Sequence, residues 1–196
     1  MIQLVGPGGA GKTTIGAALA DRLGARFGDL DAEFTARHGD ISAYLDAHGY
    51  EAYAEQNVGL YLHLVGGPVR LEIVALSSGF MTYGESIHPD YSALRQRVAS
   101  SPSTFVLLPS VNVEACVSEI VRRQLRRPFA RSAGREEQVI RERFFAYFEL
   151  PARKVETLQS VEAVVAELIA ALAAQQAAAP DGARARSRTP LALGVS

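Results

Sequence analysis

Short apolar segments alternate along the chain with stretches in which apolar residues recur at helical spacing. The apolar segments predict strands at 2–5, 71–76, 104–109 and 154–158, and a shorter one within 25–31. The helical stripes are Ile15, Leu19 and Leu23; Tyr91, Leu94 and Val98; and Val161, Val164, Val165, Leu168, Ile169 and Leu172, behind Ser160 as a candidate N-cap. This alternation predicts a three-layer α/β fold with a five-stranded parallel sheet and ligands at the carboxyl ends of its strands.

The first predicted strand leads directly into a glycine-rich turn and then into a helical segment. Gly6, Gly11, Lys12 and Thr13 match the pattern G-x-x-x-x-G-K-[ST]. In such a turn the backbone N–H groups converge on phosphate oxygens, the lysine reaches the β- and γ-phosphates, and the hydroxyl binds Mg²⁺. The residues expected to bind the nucleotide are Gly8, Gly9, Ala10, Gly11, Lys12, Thr13 and Thr14. The turn predicts a P-loop NTPase-like fold, although kinases, GTPases and mechanical ATPases all use it.

Two carboxylates follow the second predicted strand. Asp29 and Asp31 are spaced i, i+2, so both point to one face, toward the phosphates, if the backbone stays extended. One could then hold Mg²⁺ through water while the other accepts a proton from a substrate hydroxyl. A pair of this kind is also typical of a turn or a helix cap. Its position after the P-loop favours the functional interpretation.

Composition limits the classes of partner. The 196 residues suffice for one domain, and 20 basic against 21 acidic residues give a net charge of −1, so we expect neither nucleic acid nor a membrane as partner. The single cysteine, Cys116, excludes an intramolecular disulfide and is expected to be buried. No secretory signal and no run of about 20 apolar residues is seen, which predicts a cytoplasmic protein. We expect a monomer or a weak homodimer.

The domain is expected to span residues 1–178. Within it, the segment 124–135 contains four arginines, a proline and a glycine, which indicates a basic loop rather than core. Residues 179–196 lose apolar periodicity and gain proline, glycine and arginine. This composition predicts a disordered tail.

Four segments, in their order along the chain, resemble the shikimate kinases, a family of small P-loop kinases. "LVGPGGAGKTTIGAALADRLGARFGDLDAEF" resembles the family's opening, whose second strand ends in an F-x-D-x-D-like motif, and "GDISAYLDAHGYEAYAEQN" resembles the family's next segment. "RRPF" at 126–129 and the spacing of Arg143, Tyr147 and Thr157 resemble later motifs of the family. The resemblance covers about residues 1 to 172.

The resemblance implies an ATP- and Mg²⁺-dependent kinase that phosphorylates a hydroxyl of a small metabolite. Transferred by position, it assigns Lys12 and Arg127 to ATP, Thr13 and Asp29 to magnesium, and Asp31, Gly79 and Arg143 to the acceptor. It also implies that the basic segment 124–135 is a lid that closes over bound nucleotide. Lys12 and Asp31 would be the catalytic residues, with Asp31 as the base for in-line attack.

The chain departs from the family pattern on the acceptor side. The family's F-R-x-x-E element, whose arginine binds the substrate carboxylate, is replaced here by Tyr53, Ala54 and Asn57. Its triple glycine is replaced by Ser77, Ser78 and Gly79. Loss of a charge-assisted contact of this kind costs roughly 2–5 kcal/mol, so we predict an acceptor other than shikimate, such as a polyol, a sugar-like molecule or a cyclitol.

Two further questions stay open at this point. Aromatic residues near the expected acceptor side could line the pocket or simply fill the core: Tyr50, Tyr53, Phe80 and Tyr83. The altered acceptor site is also compatible with a nucleotide-binding module that has lost its chemistry and acts through lid closure. A third interpretation keeps the kinase and changes the acceptor to a gluconate-like sugar acid, or to a nucleoside monophosphate, for which the sequence lacks a second basic clamp.

Overall fold

The computed structural model of the chain describes residues 1–68, 71–124 and 133–178, without the side chains of 124 and 133–136. The strands are β1 (Ile2–Val5), β2 (Phe27–Asp29), β3 (Ile73–Ala75), β4 (Thr104–Leu108) and β5 (Arg153–Glu156). The α-helices are α1 (Lys12–Leu23), α2 (Leu30–His38), α3 (Ile41–Gly66), α4 (Tyr91–Ser100), α5 (Val113–Gln124), α6 (Ala133–Phe148) and α7 (Val161–Ala178). Single 3₁₀ turns cover Phe80–Thr82 and Glu85–Ile87.

The five predicted strands form one parallel sheet in the order β2-β3-β1-β4-β5. In the register, Gln3 on β1 lies between Val74 on β3 and Thr104 on β4. The three-layer α/β prediction is therefore confirmed. Because β1 is central and its neighbours arrive from later in the chain, its carboxyl end opens at a topological switch point, where open α/β sheets bind ligands.

Each face of the sheet carries its own apolar core, because successive strand residues point to opposite faces. On β1, Leu4 packs with α1 and α7, whereas Val5 packs with the helices of the other face. One predicted stripe residue is an exception: Leu23 is 45% exposed. It is the last residue of α1, where Gly24 takes the left-handed conformation at the cap and ends the helix.

Helix α7 begins as predicted behind Ser160, whose hydroxyl accepts a hydrogen bond from the Ala163 N–H. By length and composition alone this helix could cross a membrane. It carries Glu162 and Glu167, however, and buries Val164 and Leu168 in the same core as α1 and β5. Its apolar stripe is accounted for by packing within the domain.

Helix α3 is interrupted at Gly49, which has a φ of 83° and a ψ of 170°. The break divides α3 into two helical halves, and Tyr50 and Tyr53 lie in the first turn of the second half. A left-handed φ at this point suits glycine, because other residues meet a steric penalty there.

The predicted lid and tail are only partly described. Helix α5 extends to Gln124 and α6 already starts at Ala133, so the two ends of the predicted 124–135 loop are helical. Residues 125–132, with Arg127, lie outside the described residues, as does the predicted tail 179–196.

Candidate active site

The P-loop connects Val5 at the end of β1 with Lys12 at the start of α1. Gly6, Gly9 and Gly11 have φ values of 148°, 83° and 94°. A Cβ on Gly6 would lie 2.3 Å from the Leu107 carbonyl oxygen, so only glycine fits there. The loop thus has the bare backbone that a phosphate cradle needs, beside the positive end of the α1 dipole.

The Lys12 side chain folds back on this loop. Its side chain is buried, and Nζ donates to the carbonyl oxygens of Gly6 at 2.8 Å and Pro7 at 3.1 Å. The loop is also hydrogen-bonded to the residue that follows β5, because the Thr157 hydroxyl donates to the Ala10 carbonyl at 2.8 Å. The ammonium group is therefore held at the phosphate cradle, as the motif predicts.

Thr13 and Asp29 form a pair of oxygen donors beside the loop. The Thr13 hydroxyl donates to Asp29 Oδ2 at 2.5 Å. Among the described residues no three His, Cys, Asp or Glu side chains come together, so few protein ligands meet a cation here. Mg²⁺ suits such a site, because it keeps several waters and takes its other oxygens from phosphates. The residues present fit the cation that the sequence predicts.

Asp29 and Asp31 reach the site by a different route from the one predicted. The backbone does not stay extended: β2 ends at Asp29, and Asp29 is the N-cap of α2, with Oδ1 accepting from the N–H groups of Asp31 and Ala32. The helix-cap interpretation is confirmed, and the functional interpretation stays a prediction. One oxygen of Asp29 starts the helix and the other faces Thr13, while the first turn of α2 carries Asp31 toward the same pocket.

A pocket of about 500 Å³ joins these groups. It is lined by Gly8, Gly9, Gly11, Lys12, Thr13, Thr14, Ile15, Asp29, Asp31, Leu76, Ser78, Arg123, Thr157, Gln159 and Val161. Ala10, which was also predicted to bind the nucleotide, is fully buried and does not line the pocket. The phosphate cradle, the predicted metal ligands and Asp31 therefore share one continuous space.

Gly79 and Arg143 lie beside this pocket. Arg143 Nη1 donates to the Ser78 hydroxyl at 3.3 Å, and its Nη2 would be 3.6 Å from a Cβ on Gly79. Tyr147, one turn further along α6, donates to the Ser78 carbonyl at 3.0 Å. The predicted acceptor residues are brought together with the β3 carboxyl end.

Arg123 is a site residue that the sequence interpretation missed. It lines the pocket, and its guanidinium donates to the Gly9 carbonyl at 2.9 Å, the Thr157 carbonyl at 3.1 Å and Glu119 at 2.6 Å. A signal was present: Arg123 lies at helical spacing after Cys116 and Ile120, both fully buried. A charged residue on the buried stripe of a helix indicates a specific partner.

The aromatic residues near the acceptor side separate into two groups. Phe80 is fully buried, and Tyr53 and Tyr83 are 7% and 5% exposed, so these three belong mainly to the core. Tyr50, by contrast, is 46% exposed, and its hydroxyl would lie 2.5 Å from a Cβ on Gly79. Of the four, Tyr50 alone has a broadly accessible ring, so the open question is answered in favour of the core for the other three.

The residues that depart from the family pattern are buried behind Asp31. Ala54 is 1% exposed and Asn57 is fully buried. Asn57 Oδ1 accepts from the Tyr83 hydroxyl at 3.2 Å, while Asn57 Nδ2 has no partner among the described residues. Where the family pattern has an arginine and a glutamate, the wall here is thus made of neutral groups.

A P-loop at the central strand, with an adjacent Thr–Asp pair and a second carboxylate in the same pocket, is typical of P-loop nucleotide-binding proteins. A family model described as shikimate kinase matches residues 8–173. The shikimate kinase of Chromohalobacter salexigens is 35% identical over 148 residues, which cover 73% of this chain and 72% of that protein. The chain belongs to the shikimate kinase family, whose members use ATP and Mg²⁺. Other curated shikimate kinases match over shorter segments, and the chain spans 45% and 35% of two of them.

Solved structures agree on the fold. Shikimate kinase from Acinetobacter baumannii, in complex with shikimate, aligns with a TM-score of 0.70 at 24% identity, covering 91% of this chain and 94% of that one. A gluconokinase from Sinorhizobium meliloti 1021 aligns with a TM-score of 0.57 at 17% identity, covering 95% and 97%. At these identities the likeness shows the fold alone.

Proposed function

We propose that this protein transfers the γ-phosphoryl group of ATP to a hydroxyl of a small metabolite other than shikimate, as a cytoplasmic monomer or weak homodimer. One observation carries the proposal: Asp31, a carboxylate able to accept a proton, lines the same pocket as Lys12 and the phosphate cradle. Phosphoryl transfer needs the nucleotide and the attacking oxygen in one space from which water is largely excluded.

The nucleotide side of the pocket is formed by backbone and cations. The N–H groups from Gly8 to Thr14 bind the phosphates, and Lys12 places its charge near the phosphoryl group that moves. Thr13, directly, and Asp29, through water, would hold Mg²⁺, which neutralises charge on the β- and γ-phosphates when bound. Arg123, which donates to the Gly9 carbonyl, adds a positive charge to the nucleotide side of the pocket. We assign Arg127, on the predicted lid, to the nucleotide as well.

Asp31 acts on the acceptor. The acceptor hydroxyl gives its proton to the Asp31 carboxylate while its oxygen attacks the γ-phosphorus in line; the new P–O bond forms as the bond to the ADP oxygen breaks. Arg143 lies near enough to Ser78 and Gly79 to bind the acceptor or to neutralise the moving phosphoryl group. The proton, the phosphoryl group and the leaving ADP are all accounted for without a cofactor other than Mg²⁺.

The composition of the wall behind Asp31 supports an acceptor other than shikimate. Ala54 offers no guanidinium, and the neighbouring Tyr53, Asn57 and Ser77 are neutral and almost completely buried. Arg143 supplies a guanidinium on the acceptor side, where it donates to the Ser78 hydroxyl. Such a site favours hydroxyl groups, as in polyols or cyclitols, over a substrate whose binding depends on a clamped carboxylate.

The direct test is transfer from γ-labelled ATP to a panel of acceptors that includes shikimate, gluconate, myo-inositol and open-chain polyols. We expect phosphorylation of at least one neutral polyol and little or none of shikimate. Asp31→Asn should keep MgATP affinity and lose turnover by about 100-fold or more. The exposed Asp46→Asn on α3 is the matched control and should be fully active.

The other outcomes distinguish the alternatives. MgATP binding without transfer to any member of the panel would favour the nucleotide-binding module, for which the neutral acceptor wall is the supporting observation. Transfer to gluconate alone would favour a sugar-acid kinase. Wild-type turnover in Asp31→Asn would remove this residue from the mechanism.

A further inference from the structure

The carboxylate of Asp31 has one side-chain partner among the described residues, the hydroxyl of Tyr53. Tyr53 Oη donates to Asp31 Oδ1 at 3.2 Å. The backbone of Asp31 is fixed separately, because its N–H donates to Asp29 Oδ1 at 3.0 Å and its carbonyl accepts from the Thr35 hydroxyl at 2.9 Å. The hydrogen bond from Tyr53 therefore orients the Asp31 carboxylate, whereas the helix cap fixes the Asp31 backbone.

Tyr53 is itself held firmly. It is 7% exposed, and its ring packs against Phe34 with centroids 4.8 Å apart and against Tyr50 at 6.2 Å. Both neighbours flank the ring, one from α2 and one from α3 itself. A side chain fixed by packing is what a catalytic group needs as its support, since a shift of about 1 Å can cost a large factor in rate.

The Tyr53 hydroxyl stays a donor throughout the working pH range. Burial, together with the negative charge of Asp31, raises the pKa of Tyr53 well above its usual value. Nearby hydroxyls offset only part of this rise, and the Tyr83 hydroxyl donates separately to Asn57 Oδ1 at 3.2 Å. The Tyr53 phenol therefore stays protonated as the donor to Asp31.

We propose that Tyr53 is a positioning residue for the reaction: its hydroxyl holds Asp31 Oδ1, so that Oδ2 is presented to the acceptor hydroxyl. This inference rests on the proposed role of Asp31 as the base. It goes beyond that role because the F-R-x-x-E pattern has phenylalanine at this position, so the bond is a property of this chain. No other described residue donates to the Asp31 side chain. Removing the Tyr53 hydroxyl oxygen therefore removes the one hydrogen bond that orients this carboxylate.

The test variant is Tyr53→Phe, which removes the hydroxyl and keeps the ring. Its matched control is Tyr61→Phe, which removes another buried phenol, one that donates to Gln3 Oε1 at 2.6 Å rather than to a site residue. Thermal unfolding establishes that both variants fold. The first readout needs no acceptor: the ¹³Cγ resonance of Asp31 in labelled protein, identified by its absence from Asp31→Asn. It should move in Tyr53→Phe and stay in place in Tyr61→Phe.

The second readout is kinetic, with MgATP and an acceptor from the same panel. Tyr53→Phe should lower kcat by about tenfold, the value of one hydrogen bond, and leave the KM for ATP unchanged. Tyr61→Phe should change neither. An unmoved resonance overturns the inference, and so does a moved resonance with wild-type kcat. Failure of the proposed function looks different: either the wild-type protein phosphorylates no acceptor of the panel, or Asp31→Asn retains wild-type turnover, whatever Tyr53 does.

Discussion

Gly6→Ala should be the most damaging single-methyl substitution in the P-loop. Gly6 has a φ of 148°, and a Cβ there would lie 2.3 Å from the Leu107 carbonyl oxygen. That oxygen belongs to β4, which is hydrogen-bonded between β1 and β5, so it cannot move aside. Overpacking costs about 1–3 kcal/mol and an unfavourable φ about 1–2 kcal/mol. We therefore expect the free energy of unfolding to fall by about 2–5 kcal/mol, a large part of the usual total of about 5–15 kcal/mol.

Gly9→Ala separates the two contributions. Its φ of 83° is also left-handed, but the nearest atom to a Cβ is Ile120 Cγ2 at 3.5 Å, an ordinary contact. Only the conformational cost applies, so this variant should lose about 1–2 kcal/mol. Urea denaturation followed by circular dichroism measures both losses, and added MgATP should stabilise Gly9→Ala more than Gly6→Ala. If the two variants unfolded within about 0.5 kcal/mol of each other, the steric reasoning would be wrong.

Two more predictions concern residues that frame the pocket. In Gly79→Ala the new methyl group meets the buried Tyr83 ring at 2.9 Å, so unfolding free energy should drop by about 1 kcal/mol, whereas Gly84→Ala, with open space around it, should change little. Hydrogen bonds from Arg122 and Arg123 lower the pKa of Glu119 from 4.5 to about 2. The ionised Glu119 stabilises the fold above pH 4.5, and this contribution is lost as the pH falls toward 2. Glu119→Gln should therefore be less stable than the wild type by about 1 kcal/mol at pH 6 in thermal unfolding. The difference in stability should disappear on acidification.

The local chemistry of the nucleotide site was open to prediction because it depends on neighbours in the chain. A strand, a glycine-rich turn and a helix are adjacent from Ile2 to Leu23, so their pattern carries the whole cradle. The Asp29 and Asp31 pair was recognised for the same reason. Its backbone stayed open between an extended segment and a helix cap, because both are compatible with the same sequence and only the hydrogen bonds of the folded helix tell them apart.

The residues that were missed or misjudged owe their roles to contacts between distant segments. Arg123 belongs to the site because α5 brings it to the Gly9 carbonyl, 114 positions away in the chain. Tyr53 on α3 donates to Asp31 on α2, 22 positions away in the chain. The sequence by itself determined the strands, the phosphate cradle and the two carboxylates, since periodicity and motif spacing are local. Tertiary structure alone decided the strand order, the burial of the acceptor wall and the partner of each site residue, because these follow from packing across the sheet.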